Sequence, residues 1–218
     1  MSTPASGEAG ESIRRRLLDE AARVLAEQGP AALSARRLVK AVGASTMAVY
    51  THFGSMPELV RALMREGYDR FRARAEALVM NPADPVADIA ALCRCYQDFA
   101  AAEPHVYAVL FGGSELAGFE LTDDDRRMGV SMLRFPRDAI RRAVAAGRFR
   151  ADADPDLLVR QLFTQMHGIA HLTRAGYLMG GYTPDQILTG ALRDFAVAAG
   201  DRPEAARSSV ATGLRRLP

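Results

Sequence analysis

The chain has 218 residues, of which 49% are hydrophobic and 25% charged, an ordinary balance for one large globular domain or two small ones. It contains no run of 18 apolar residues, so we expect no membrane span. Its first 16 residues lack the apolar core of a signal peptide. The two cysteines, Cys93 and Cys95, would point to different faces of a helix, which disfavours a disulfide. Together these features predict a cytoplasmic protein.

Positive charge is concentrated in one short stretch of a nearly neutral chain, whose formal net charge is +2. Residues 1–80 contain 12 basic and 9 acidic residues, whereas residues 81–218 contain 16 and 17. The stretch over 31–56 has no acidic residue and three basic ones, Arg36, Arg37 and Lys40. Such a block suits a phosphate backbone, although a solvated helix face would show the same pattern.

The first 80 residues predict a series of helices with a disordered, small and polar arm over 1–11. An apolar stripe at helical spacing predicts the first helix over 12–28. Two short helices and one long helix follow, and the long helix extends to about residue 79. Their boundaries come from local signals: Ser34, Ser45 and Ser55 are suitable N-caps, and Gly43 ends the second helix.

The remainder of the chain also predicts helices, after a break at "NPADP" (81–85) that we take as a domain boundary. The predicted helices are 85–102, 104–111, 123–146, 155–178 and 184–199, with a loop over 112–122. Pro136 is expected to kink the helix that contains it. The pattern predicts an all-α protein with an N-terminal domain over 12–80, a C-terminal domain over 81–200 and a flexible tail over 201–218.

Two short helices joined at Gly43 form a helix-turn-helix. In such a unit the second helix enters the major groove of DNA with its N-terminal residues toward the bases. Val49 and Phe53 are four residues apart and are expected to pack inward. Tyr50 and His52 are expected on the other side, within reach of phosphates or bases. The N-terminal domain is therefore predicted to be a DNA-binding head.

The stretch "LSARRLVKAVGASTMAVYTHFGSMPELVRAL" resembles the DNA-binding signature of the TetR (tetracycline-repressor) family. The shared features are a small hydroxyl residue, a helix that ends at Gly43, and a short helix that closes in Tyr50-x-His52-Phe53. The resemblance extends over residues 12–78. It departs at Met56, where the family usually has a lysine that binds phosphate.

This resemblance implies a dimeric regulator of transcription, most often a repressor, which binds a pseudo-palindromic operator and is released by a small molecule. The residues that align with DNA contacts of the family are Ser34, Arg36, Ser45, Thr46, Met47, Tyr50 and His52. Arg37 and Lys40 are further candidates for phosphate contacts, although solvated surface positions would serve equally well as an interpretation. Arg36 is the best candidate for a base contact, because a guanidinium can hold guanine with two hydrogen bonds.

The stretch "FTQMHG" (163–168) resembles the Trp-x-x-x-His-Gly motif of one branch of the family, with Phe163 where Trp is usual. The resemblance implies that residues 81–200 form a helical bundle for ligand binding and dimerisation. Candidate effector-binding residues are Cys93, Tyr96, Tyr107, Met128, Met132, Phe163, Met166 and His167. The set is mostly apolar and uncharged, which predicts an apolar or aromatic effector, although each of its members could also be an ordinary core residue.

An enzymatic reading finds little support. His167 and His171 have a spacing that can hold a metal, but no glutamate stands between them and no third ligand is evident. A glycine-rich phosphate loop and a nucleophile elbow are also absent from the sequence. We therefore expect no catalytic site, metal or cofactor. The alternative to a DNA-binding regulator is an all-helical interaction module whose helix-turn-helix binds a protein partner.

Overall fold

The computed structural model describes residues 5–111, 121–178 and 180–216, and every regular element within these ranges is helical. One short 3-10 helix, Pro30–Ala32, follows the first α-helix. The α-helices are α1 Ala5–Gln28, α2 Ala35–Val42, α3 Thr46–Phe53, α4 Met56–Ala77, α5 Pro85–Ala102, α6 Pro104–Phe111, α7 Asp123–Ser131, α8 Arg134–Ala145, α9 Pro155–Arg174, α10 Pro184–Ala198 and α11 Pro203–Gly213. The all-α prediction is confirmed. Most of the predicted loop over 112–122 lies outside the described residues.

The helices divide into two compact units. The head unit consists of the described residues within 1–70 and 103–128, and the bundle unit of those within 71–102 and 129–218. This division differs from the predicted boundary at 81–85. The reason is that α6, which follows that boundary in sequence, packs against α1 and belongs to the head unit.

Apolar packing holds the first four helices of the head unit together. Each of them contributes a side chain that is almost completely buried: Leu17 of α1, Leu38 of α2, Val49 of α3 and Leu59 of α4. Burial of such a side chain stabilises a fold by about 1.5–3 kcal/mol. α1 packs against both α2 and α3, so the helix-turn-helix is supported from one side by the longest helix of the unit.

The bundle unit is organised around α5, which packs against α8, α9 and α11. Asp88, on the first turn of α5, is fully buried. Its carboxylate accepts hydrogen bonds from Arg142 of α8 at 2.8 Å and from Arg216 at 2.5 Å. A buried carboxylate requires such partners, because desolvation would otherwise destabilise the charged form.

The predicted flexible tail over 201–218 is wrong for residues 203–213, which form α11. This helix buries Ala206, Ser209 and Val210 and lies against α5. Its contact surface is made of small residues, so the sequence lacks the strong apolar stripe that signals a packed helix. The two helices approach closely at Gly213, where an added Cβ would lie 2.1 Å from the carbonyl oxygen of Ala87.

Two other predicted boundaries also need correction. The helix predicted over 123–146 is two helices, α7 and α8, and Pro136 lies in the first turn of α8 rather than at a kink. A first-turn residue has no intrahelical hydrogen bond to lose, so proline is tolerated there. α1 begins at Ala5, although a disordered arm was predicted over 1–11. Extending a helix that has already nucleated is much less unfavourable than starting one.

Candidate nucleic-acid interface

The turn between α2 and α3 is built by local signals. Ser34 is the N-cap of α2, and its Oγ accepts a hydrogen bond from the Arg37 N–H at 3.4 Å. Gly43 ends α2 with φ 68°, a left-handed conformation that glycine adopts without steric cost. Ser45 is extended and precedes the first residue of α3. The connection is short, so the orientation of α3 on α2 is closely restricted.

One side of α3 is exposed as a continuous surface. Val49 is 0% exposed and Phe53 is also buried. The exposed side chains are Thr46, Met47, Tyr50 and Thr51. At about 100° per residue they cover an arc of roughly 140°, with Met47 and Tyr50 in its middle. The helix has 8 residues and is therefore about 12 Å long, comparable to the width of the major groove.

Positive charge comes from α2, which packs against α3. Arg36 and Lys40 are exposed and four residues apart, so they lie on the same side of α2. Arg37 points elsewhere, and its guanidinium donates a hydrogen bond to Gln28 Oε1 at 2.5 Å. Gln28 is the last residue of α1, so Arg37 also links two helices. Arg36 and Lys40 are the better candidates for direct contact with DNA.

His52 occupies a different position from the other predicted contacts on α3. It is half-buried, and two residues along a helix correspond to about 160° between it and Tyr50. Its ring centroid lies 6.2 Å from that of Phe53. The guanidinium of Arg14 lies 5.6 Å from the Phe53 ring centroid. The structure therefore does not bring Tyr50 and His52 to one side of α3, which corrects the expectation that they share a face.

Backbone N–H groups at two helix starts are further candidate donors. The Ser45 hydroxyl does not cap α3, and the first N–H groups of any helix lack intrahelical partners. Such groups bind phosphate well. At the start of α4, the Ser55 Oγ accepts a hydrogen bond from the Glu58 N–H at 3.3 Å. Met56 supplies no charge here, so a phosphate contact at this point would depend on the backbone.

Ion pairs anchor α4 within the head unit. Arg70 donates hydrogen bonds to Asp19 of α1 at 3.0 Å, to Glu66 at 3.2 Å and to Glu103 beside α6 at 3.1 Å. Burial acts to lower the pKa of the Arg70 guanidinium, but the hydrogen bonds to Asp19 and Glu66 raise it overall. α4 follows α3 directly in the chain, so these contacts also limit the movement of α3.

A second ion pair joins α4 to the beginning of α7. The Arg61 guanidinium lies 3.5 Å from the carboxylate of Asp125, which is almost completely buried. Burial acts to raise the pKa of Asp125, yet hydrogen bonds from Thr122 and the charge of Arg61 lower it overall. Burial, with a smaller contribution from Asp125, raises the pKa of the Tyr68 hydroxyl to about 12. At neutral pH the carboxylate is therefore charged and the phenol is neutral.

The eight predicted effector-binding residues are divided between the two units. Tyr107 and Met128 belong to the head unit, and Tyr107 is buried with its ring centroid 4.9 Å from that of Phe111. The other six belong to the bundle unit. Of these, Cys93, Tyr96, Met132 and Met166 are buried. Tyr96, Phe163, Met166 and His167 lie on α5 and α9.

Tyr96 is the centre of an aromatic cluster in the bundle unit. Its hydroxyl forms a hydrogen bond of 3.3 Å with His167 Nδ1. Its ring centroid lies 5.9 Å from that of Phe71 and 6.1 Å from that of Phe163, both edge to face. Phe163 also stacks on His167 at 5.9 Å. Met166 is buried beside the cluster, and its backbone oxygen accepts a hydrogen bond from Gln97 at 2.9 Å.

Three titratable groups on α5 and α9, namely His167, Cys93 and Cys95, are held in their neutral forms. Burial, and to a smaller extent the neighbouring His171, lowers the pKa of His167 below 6.5. Burial raises the pKa of the Cys93 thiol well above its usual range. It also raises the pKa of the Cys95 thiol to about 11. At pH 7 the histidine is therefore uncharged and both thiols are protonated.

Among the described residues, no group of three or more His, Cys, Asp or Glu side chains is placed to hold a metal ion. None of the described helices is both long and apolar enough to cross a membrane.

One residue of the exposed surface was not among the predicted contacts. Thr51 lies one turn after Met47 on the same side of α3. A four-residue spacing from a predicted contact would have identified it, because residues i and i+4 share a helix face. The link between Gln28 and Arg37 has no comparable sequence signal.

The described helices and the exposed face of α3 beside α2 define the class of protein: it is all-helical and has an N-terminal helix-turn-helix. The chain is 31% identical over 159 residues to the HTH-type transcriptional repressor KstR2 of Mycobacterium tuberculosis, covering 68% of this chain and 75% of that one. It is 29% identical over 154 residues to the HTH-type transcriptional regulator Rv1816 of the same species, covering 67% of this chain. The aligned part spans 64% of the length of that regulator.

A solved structure shares the fold of this chain, and two family models match its sequence. A protein of unknown function from Rhodococcus sp. RHA1 superposes with a TM-score of 0.70 at 27% identity, covering 87% of this chain and 96% of that one. Residues 17–63 match the model for bacterial regulatory proteins of the tetR family. Residues 89–195 match the tetracyclin repressor-like C-terminal domain. The chain belongs to the TetR family.

Proposed function

We propose that this protein is a dimeric transcriptional repressor that binds a pseudo-palindromic DNA operator and is released from it by a small molecule. The observation that carries the proposal is the exposed, uncharged surface of α3 next to a helix with exposed Arg36 and Lys40. Membership of the TetR family supports DNA binding, and the name of the relative KstR2, a transcriptional repressor, supports repression. Since its target is DNA, the proposed place of action is the cytoplasm.

The proposed DNA contacts have different roles. Arg36 binds a guanine edge, because its exposed guanidinium offers two parallel donors. Lys40 and Arg37 neutralise phosphates. The hydrogen bond from Arg37 to Gln28 restricts the positions that the Arg37 guanidinium can reach. Ser34, Ser45, Thr46 and His52 donate to phosphates at the edges of the surface, whereas Met47 and Tyr50 face the groove.

The test is selection of genomic DNA fragments by the purified protein, followed by fluorescence anisotropy with the selected site. Wild-type protein should bind a two-fold symmetric site, and its affinity for that site should fall steeply as the salt concentration rises. Arg36→Ala should cost ~1–3 kcal/mol and relax base preference at one position. Arg37→Ala is the matched control and should weaken all sequences alike. An interaction module for a protein partner would select no DNA sequence, and its variants would show no base-specific effect.

In the proposed dimer, α9 and α10 bury one apolar face within the bundle unit and pair with their copies through exposed apolar residues. On these helices, Leu157, Leu172 and Val197 are 54%, 42% and 41% exposed. A Cβ added at Gly168 or Gly190 would meet no atom from elsewhere in the chain within 4 Å. Small residues beside exposed apolar ones suit close, self-complementary helix packing between two copies. Sedimentation at micromolar concentration should detect a dimer, and a stable monomer would contradict this part of the proposal.

The proposed effector is a small apolar or aromatic molecule that binds near the Tyr96 cluster. The cluster is uncharged at pH 7, and its polar tips are the Tyr96 hydroxyl and the His167 ring. Assignment to the Trp-x-x-x-His-Gly branch is part of this proposal, supported by Phe163, which stacks on His167 one turn away. An effector must bind the DNA-incompetent state more tightly, or it shifts no equilibrium.

Two substitutions test the effector site. Phe163→Ala removes an aromatic wall of the cluster, and Met166→Trp adds volume beside it. Both variants should keep operator affinity and alter the concentration of effector that releases DNA, measured by anisotropy. If release by the effector is unchanged in both variants, the site lies elsewhere.

A further inference from the structure

Helix α3, the recognition helix in the function proposed above, carries the exposed large apolar side chains of the described part of the head unit. Among the described residues of the head unit, the large hydrophobic side chains exposed to solvent are Met47, at 65%, and Tyr50, at 50%, and both lie on α3. An exposed apolar patch at a functional surface generally marks contact with an apolar partner group. Here the partner surface is a DNA groove, according to the function proposed above, on which this inference rests.

The position of Met47 directs it toward the bases. It is the second residue of α3, and the N-terminal residues of a recognition helix are those that reach base edges. Measured around the helix, it lies about 160° from the fully buried Val49. Its neighbours on the exposed face, Thr46, Tyr50 and Thr51, are all uncharged. The centre of the reading surface therefore offers apolar contact rather than ion pairing.

The chemistry of methionine limits what it can read. A thioether has no hydrogen-bond donor and is only a weak acceptor, so it cannot distinguish the polar edges of guanine, cytosine or adenine. The apolar group that base pairs present in the major groove is the C5 methyl of thymine. The unbranched and polarizable side chain of methionine adapts well to such a contact.

We propose that Met47 contacts the C5 methyl group of a thymine in each half-site of the operator and so specifies an A·T pair there. The operator then combines a guanine read by the guanidinium of Arg36 with a thymine read by the thioether of Met47. The contact buries about one methyl group per half-site. Its loss should weaken binding about four-fold per half-site, or about fifteen-fold when both half-sites of a dimer are changed.

The experiment uses operator DNA obtained by selection, in which 2′-deoxyuridine replaces one symmetric pair of thymines at a time. This replacement removes only the methyl group and keeps base pairing. Anisotropy measures the dissociation constant of the full-length protein for each duplex at fixed salt. Wild-type protein should lose about fifteen-fold affinity at one pair of positions. Met47→Ala should bind the thymine duplex more weakly than wild-type protein does. It should also bind the thymine and uracil duplexes with equal affinity, because the side chain that contacts the methyl group is gone.

Controls separate this contact from a general loss of binding. Met47→Leu retains an apolar side chain and should retain discrimination between thymine and uracil, and Arg37→Ala should weaken binding to both duplexes without changing their ratio. Because Met47 is 65% exposed, its truncation leaves the apolar core of the head unit intact, which circular dichroism can verify.

The possible failures are distinguishable. If the protein selects no DNA sequence, the proposed function itself is wrong. If it selects an operator on which Arg36→Ala relaxes base preference, but wild-type protein tolerates uracil at every position, only the role of Met47 is overturned. The role of Met47 is also overturned if the selected half-site contains no thymine, or if the Met47→Ala variant still discriminates between the two duplexes.

Discussion

Gly213→Ala is the substitution that most directly tests the packing of α11 against α5. An alanine Cβ at this position would lie 2.1 Å from the Ala87 carbonyl oxygen and 2.7 Å from the Ala90 Cβ. A comfortable carbon–oxygen contact is about 3.3 Å, so the end of α11 must move by about 1 Å. The obstructing oxygen belongs to the backbone of a buried helix and cannot rotate away as a side chain could.

The expected loss of stability follows from two opposing effects. Overpacking a close contact destabilises a protein by about 1–3 kcal/mol. Replacing glycine with alanine within a helix stabilises it by at most about 1 kcal/mol, and less here because Gly213 is the last residue of α11. Overpacking should therefore dominate, with a net loss of about 1–2 kcal/mol. For a chain of this size that corresponds to a melting temperature lower by about 2–8 °C.

Thermal and urea unfolding measure the effect, and hydrogen exchange of the α11 amides reports whether this helix loosens first. The matched control is Ala211→Ser, which adds one heavy atom to an exposed residue in the same turn and should cost only about 0.5 kcal/mol. If Gly213→Ala unfolds within about 0.5 kcal/mol of this control, the close contact between α11 and α5 is not as described.

Two further predictions concern the head unit and the aromatic cluster. Gly67→Ala places a Cβ 2.7 Å from Val106 Cγ1 of α6 and should lower stability by about 1–2 kcal/mol in urea unfolding, whereas Ala73→Ser, at an exposed position of the same helix α4, should cost only about 0.5 kcal/mol. Equal effects of the two substitutions would contradict the α4–α6 packing. The lowered pKa of His167 means that below pH 6.5 the unfolded chain takes up a proton that the folded chain does not, so acidification through this range reduces stability. Compared with His167→Gln, wild-type protein should therefore lose more unfolding free energy between pH 7.5 and pH 5.5, and parallel pH profiles would show that His167 is not desolvated.

The operator contacts connect these predictions to function. Arg36 and Met47 are exposed and outside the apolar core, so their substitution should change DNA binding without changing the unfolding transition. Gly67 and Gly213 are packed against neighbouring helices, so their substitution should change stability first. Measuring DNA affinity and unfolding free energy for all four variants therefore separates the residues that contact DNA from those that stabilise the fold.

Local signals in the sequence were sufficient to place most of the helices. Pro85, Pro104, Pro155 and Pro184 each begin a helix at the predicted residue. Proline is well suited to this position because its fixed φ matches the first turn, where no N–H partner is needed. The prediction that Val49 and Phe53 face inward is confirmed, because residues i and i+4 lie on one side of a helix. These features depend on neighbours within about one helical turn.

Features that depend on distant parts of the chain could not be predicted in this way. Asp88 is buried because it meets Arg142 and Arg216, which lie 54 and 128 residues away in sequence. α11 lacks a strong apolar stripe and is a packed helix because small residues, including Gly213, allow close approach to α5. The grouping of α6 with the head unit likewise depends on its packing against α1. Periodicity and capping specify where a helix begins and which side is apolar, whereas the partner that covers that side depends on contacts between residues far apart in the chain.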